Sequence, residues 1–183
     1  YWQKFADKEI VPDPEAANAK KEKLMHTRAA LAMCENIDAN VGRLIQHLDT
    51  IGIGEDTIVI YFSDNGPNGA RFNAGMRGRK GSTNEGGLRS PCLVRYPRCI
   101  AAGTKVNRIA GAIDLLPTLA DFAGIEFDAP KPLDGKSIKP LLTGGGDDWE
   151  SRVMFSTWNK KATVRDDRYR LQMGGGLYDI IND

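Results

Sequence analysis

Within residues 57–91, TIVIYFSDNGPNGARFNAGMRGRKGSTNEGGLRSP, two groups of side chains are of types that do chemistry. Asp64 and Asn65 stand together just past an apolar run. A carboxylate and a side-chain amide are hard oxygen donors, and side by side on a rigid strand end they suit Ca²⁺ or Mg²⁺. They fall short of the roughly six to eight oxygens that calcium takes, so further ligands must come from elsewhere. The same Asp-Asn-Gly-Pro order equally reads as an Asx turn that ends a strand.

Downstream, Arg77, Arg79, Lys80 and Arg89 lie among Gly75, Gly78, Gly81, Gly86 and Gly87. Glycines let main-chain N–H groups approach an anion, and a lysine supplies a point charge for phosphate or sulfate oxygens. GRKGST is not a P-loop, because the GxxxxGK[ST] spacing is missing and no long helix follows. The alternative is a solvated loop whose arginines pair with Glu85 and Asp64. His26 and His47 fall on a helical segment far from this loop and read as surface or half-packed residues. With no GxSxG and no cysteine that has a plausible histidine partner, these residues offer electrostatic parts without an attacking group.

The elements around the loop follow from pattern. VPDP at 11–14 forbids a helix interior. A helix is expected from Glu15 to Thr50, with Leu24, Leu31, Cys34, Ile37, Val41, Leu44 and Leu48 as an apolar stripe that needs a sheet to lie on. Gly52 and Gly54 stop it, and TIVIYF reads as a strand covered on both faces. Helix followed by such a strand predicts an α/β fold with a parallel sheet, in which ligands collect beyond the carboxyl ends of strands, where Asp64 and Asn65 stand. The 68–89 loop is longer than a connection needs, which favours function. PCLVRYP is a second strand, residues 104–106 a short extended piece, and Ala112–Ala123 a helix with Asp114 as N-cap and Gly124 as its end. The chain changes character after Ile125, so 1–125 is expected as one α/β portion and 126–150 as a linker. Residues 151–183 read as short antiparallel strands forming an incomplete subdomain.

Composition narrows the classes. The 183 residues are 41% hydrophobic, enough for a packed core. With 25 Lys and Arg against 24 Asp and Glu, the net charge of +1 gives no global field for nucleic acid or an anionic membrane. Any anion site must be local. Cys34, Cys92 and Cys99 suit neither a disulfide framework nor a zinc site, and no apolar run approaches the ~18 residues of a membrane span.

Taken together, ALAMCENIDANVGRLIQHLDTIG, TIVIYFSDNGP, MRGRKGSTNEGGLRSP, LVRYP, IDLLPTLADFAGI, LDGKSIKPLL, VRDDRYRLQ and LYDIIND resemble the sulfatase family of the alkaline-phosphatase-like superfamily, in the order that family shows them. The resemblance implies an alkaline-phosphatase-like sandwich with a mostly parallel sheet, Asp64 and Asn65 as metal ligands for Ca²⁺ or Mg²⁺, and Lys80 against the sulfate group. It implies that Glu85 and Arg89 hold the loop's shape, with charge pairing between them, and that Arg77 and Arg79 set the local potential. The family nucleophile is a formylglycine made from a C/S-x-P-x-R motif, which does not occur in these residues. The chain is therefore expected to correspond to the carboxyl-terminal part of a sulfatase, cut before its last helix, inactive alone, with formylglycine in an upstream part. Expected partners are a sulfate-ester small molecule or a sulfated glycan, and the expected location is periplasmic, secreted or lysosomal. A phosphodiesterase or phosphonate hydrolase of the same superfamily, or a non-catalytic module with this fold, is the alternative.

Overall fold

A computed structural model describes residues 1–11, 22–69, 71, 73–126 and 130–182, and they form two compact units, 1–96 with 158–160 and 97–157 with 161–183.

In the first unit a short helix α1 (Trp2–Ala6) packs against the long helix α2 (Leu24–Thr50). α2 begins at Leu24 rather than Glu15; the prolines of VPDP and positions 15–21 lie outside the described residues. Its end is a Schellman closure. Gly52 takes φ 78°, its N–H donates to Asp49 O at 3.1 Å, and Ile53 N–H donates to Leu48 O at 3.0 Å. The apolar stripe is real but largely uncovered here: Leu31, Ile37 and Leu44 remain 37%, 38% and 50% exposed.

The strands are β1 (Val59–Phe62) and β2 (Cys92–Arg95), and they pair antiparallel with Ile60 opposite Val94. The helix–strand order suggests a mostly parallel sheet, whereas this particular pair of strands is antiparallel. Among the described residues between these strands there is no crossover helix of the length a parallel return needs; the chain loops back and re-enters beside β1. A two-stranded ribbon also cannot cover both its faces, which is why β1 is half-buried and Phe62 exposed. Arg95 ties β2 to the end of α2 by donating to Gly54 O at 2.9 Å and Asp49 Oδ1 at 3.2 Å.

In the second unit a 3₁₀ turn (Ala112–Asp114) runs into α4 (Leu115–Ala123), which follows the one-turn helix α3 (Glu85–Leu88) in chain order. Gly124 closes α4 at φ 64°. Asp114 does not cap α4 with its side chain. Fully buried, its carboxylate accepts from Gly111 N at 2.8 Å, Lys136 N at 3.0 Å and both terminal nitrogens of Arg152. A sequence offset of 38 residues separates Arg152 from Asp114, so no local pattern reveals this pair. Gly135 lies so close that a methyl group there would fall 1.9 Å from Ile113 O. The 126–150 stretch, expected as a linker, contributes in its described part α5 (Lys139–Leu142) and an apolar cluster of Ile138, Leu141 and Trp149. Residues 104–106 form no strand; Thr104 turns back on Ala101 O through its N–H and hydroxyl, and Val106 packs on that cluster.

The antiparallel strands expected near the carboxyl end are present as β3 (Met154–Trp158), β4 (Lys161–Arg165), β5 (Tyr169–Gln172) and β6 (Gly176–Asp179), in that order across one sheet. Asn159 and Lys160, at φ 46° and 63°, make the two-residue turn between β3 and β4. Asp166 holds the next turn by accepting from Arg168 N at 2.8 Å and Tyr169 N at 2.5 Å.

Burial alone would raise the Asp114 carboxyl, but the Arg152 guanidinium and the Lys136 and Gly111 amides outweigh it and hold the group below the usual carboxylate range. A depressed folded-state pKa contributes stability above the unfolded value, near 3.9, and loses it as pH falls through the folded value. Asp114→Asn is expected to destabilise the second unit by about 3 kcal/mol at neutral pH, because Arg152 is left as an uncompensated buried charge. Urea denaturation of Asp114→Asn, and of the Asp114→Asn/Arg152→Met pair, checks this; the double variant should recover part of the loss.

Candidate metal and anion site beyond β1

The site is built by a loop that folds on itself rather than by a flexible glycine tract. Thr83, Glu85, Gly86 and Gly87 are buried, and the chain on either side wraps around them. Methyl groups would fall 1.8 Å from Gly86 O at Gly66, 2.4 Å from Gly78 O at Gly86, and 2.4 Å from Ser82 O at Gly87. At these positions glycine serves close approach of backbone to backbone. Their N–H groups are spent inside the loop: Gly66 N donates to Gly87 O at 3.0 Å, Gly86 N to Arg77 O at 2.8 Å, and Gly87 N to Asn84 O at 2.9 Å. Of the five glycines expected to let main-chain donors approach an anion, Gly86 and Gly87 are thus turned inward. Gly66, Gly86 and Gly87 donate to the loop itself, so their N–H groups hold its shape.

Neighbouring side chains fix the frame. Ser90 Oγ donates to Ser63 O at 2.6 Å, Ser63 N–H donates to Pro91 O at 3.3 Å, and Ser63 Oγ donates to Asn65 O at 3.1 Å. Asn73 Nδ2 bridges Met76 O and Gly78 O at 2.8 and 3.0 Å. Sequence reasoning passed over Ser63, Asn73 and Ser90; their signal is that amides and hydroxyls among glycines are the usual donors to loop carbonyls.

Asp64 is exposed and Asn65 half-buried on the turn that follows β1. Lys80 is brought to that turn from 15 positions beyond Asn65 by its backbone N–H, which donates to Pro67 O at 3.1 Å. The backbone thus places all three candidates at one end of one ribbon. Among the described residues no hydrogen bond or ion pair engages the side chains of Asp64, Lys80, Arg77, Arg79 or Arg89, so the expected pairing of these arginines with Asp64 and Glu85 is not formed there. What joins Arg89 to Glu85 is a backbone bond, Arg89 N to Glu85 O at 2.8 Å.

An uncommitted carboxylate next to an amide fits a hard cation in donor type. Among the described residues no group of three or more His, Cys, Asp or Glu side chains could hold a metal ion, so Asp64 and Asn65 supply part of a coordination shell.

The family model for sulfatases matches residues 3–125, and that for the carboxyl-terminal region of N-sulphoglucosamine sulphohydrolase matches residues 80–173. The chain belongs to the sulfatase family. Steryl-sulfatase of Mus musculus is 37% identical over 135 residues, 68% of this chain and 22% of that protein. Arylsulfatase A of Homo sapiens is 41% identical over 127 residues, 65% of this chain and 24% of that protein. The chain therefore spans less than a quarter of the length of these relatives. A protein solved in complex with its substrate D-glucosamine-2-N,6-O-disulfate matches with a TM-score of 0.66 and 28% identity, over 87% of this chain and 35% of that one. The fold is the alkaline-phosphatase-like α/β fold of sulfatases, with a four-stranded antiparallel sheet at the carboxyl end. No described helix is long and apolar enough to cross a membrane.

Gly66→Ala is expected to lower stability by at least about 2 kcal/mol, since the added methyl meets a backbone carbonyl that cannot rotate away. Gly75→Ala, at a glycine with open space around it and φ 72°, should cost about 1 kcal/mol, from backbone strain alone. Thermal denaturation of the two variants side by side checks the difference.

Proposed function

We propose that this chain is part of a sulfuric ester hydrolase in which Asp64 and Asn65 ligate Ca²⁺ or Mg²⁺ and Lys80 holds the sulfate group. The observation that carries this is the placement, on one backbone-locked loop, of three polar side chains uncommitted among the described residues, in a chain of the sulfatase family.

The roles follow from charge. A bound divalent cation would supply fixed positive charge against the oxygens of the transferred group. Lys80 donates from its ammonium to a sulfate oxygen and opposes the negative charge that grows there. Its backbone bond to Pro67 fixes the base of the side chain, so less ordering is needed when substrate arrives. Arg77, Arg79 and Arg89, exposed and unpaired among the described residues, raise the local positive potential in a chain of nearly zero net charge. The attacking group is assigned to a formylglycine outside these residues, and these residues by themselves are assigned no turnover. The substrate is a sulfate ester of a small molecule or a glycan, in keeping with the disulfated glucosamine held by the solved relative. A periplasmic, secreted or lysosomal location accompanies that reading.

Two measurements on the full-length polypeptide that carries this sequence test the roles separately. Lys80→Ala should lower kcat/KM for a sulfate ester by about 10²-fold, the scale of losing one preorganised donor. An unchanged rate at saturating Ca²⁺ removes Lys80 from the site. Asp64→Ala should raise the Ca²⁺ concentration for half-maximal activity by about tenfold or more. The same metal dependence as the parent protein would show that Asp64 is no ligand.

A further inference from the structure

Trp158, the last residue of β3, and the turn residues Asn159 and Lys160 belong to the same compact unit as the 63–91 loop. Trp158 is 59% exposed there, and a methyl group on Gly81 would lie 3.7 Å from its Nε1. The indole therefore lies beside the peptide that follows Lys80. Gly81 has φ 81°, a conformation that disfavours any side chain at this position next to the ring. The indole N–H has no hydrogen-bond partner among the described residues. Asn159 and Lys160 both take left-handed backbone conformations in the two-residue turn that follows the tryptophan.

We propose that Trp158 is a specificity-determining wall of the candidate site, against which the ring of the sulfate ester's alcohol stacks. The inference rests on Lys80 holding the sulfate. A large exposed aromatic beside the anion contact gives the leaving group an apolar face to lie on, while its N–H offers one directed hydrogen bond. The ligand class is therefore a sulfate ester of a cyclic alcohol, with a pyranose and an aryl ring as the two sources of a flat face. An ester of a short chain has nothing to place there.

Non-hydrolysable sulfonates separate these contributions in the full-length polypeptide. Methanesulfonate carries the anion alone, benzenesulfonate adds an aryl ring, and 6-deoxy-6-sulfoglucose adds a pyranose. Calorimetric titration of the parent, Trp158→Ala, Trp158→Phe and Lys80→Ala gives the affinities. Trp158→Ala is expected to weaken at least one ring sulfonate by about tenfold and to leave methanesulfonate unchanged, and the ring that suffers more identifies the alcohol. Trp158→Phe should keep most of the benzenesulfonate affinity. Equal weakening of all three sulfonates by Trp158→Ala, or no weakening of either ring compound, overturns the proposal. If Lys80→Ala leaves methanesulfonate affinity intact, the sulfate site itself is misassigned, and that failure appears in an arm that does not involve Trp158.

Discussion

The loop beyond β1 depends on one steric constraint: the carbonyl of Gly86 occupies the space where a side chain on Gly66 would begin. That approach lets Gly66 N–H reach Gly87 O and seats the turn after β1 on the buried one-turn helix α3. Asp64 and Asn65 belong to that turn, and Lys80 is hung from its last residue, Pro67. The loop's hydrogen bonds are mostly main-chain to main-chain, so its shape does not rely on the charged side chains it presents. Those side chains are left available for a ligand.

The second unit solves a comparable problem with charge instead of close approach. Asp114 gathers two backbone amides and a guanidinium around one buried carboxylate, and Thr118 passes the connection on by donating to Asp114 O and accepting from Ile138 N. Three segments distant in sequence meet there. A buried pair of this kind is costly to break and of modest net benefit once made, so its value lies in specifying which segments meet.

Local pattern exposed the elements whose causes are local. The strands β1 and β2, the glycine ends of α2 and α4, and the carboxyl-terminal meander follow from β-branched runs, Gly52, Gly124 and turn residues, and all were legible. Asp64, Asn65 and Lys80 were legible as residue types, and the family resemblance joined them. What stayed hidden has long-range causes. Nothing near Asp114 marks it as the partner of Arg152, and glycine spacing does not distinguish a backbone opened to an anion from one pressed against Gly78 O and Ser82 O. The antiparallel pairing of β1 and β2 also eluded the helix–strand order, because direction is decided by how the 63–91 loop returns.

Where charges are spent distinguishes the loop from the rest of the surface. Asp49, Asp114, Asp121, Asp167 and Asp179 each hold a basic partner, at sites that join elements or close turns. Other acids, such as Glu55 and Asp134, are solvated on exposed backbone and need no explanation. Asp64 differs from both groups, because its carboxylate is uncommitted while the backbone beneath it is anchored to buried glycines. Ordering that backbone costs conformational entropy whether or not a ligand is present. Having met that cost during folding, the loop would need little further ordering to engage a ligand of the kind proposed, which is the physical meaning of preorganisation at an electrostatic site.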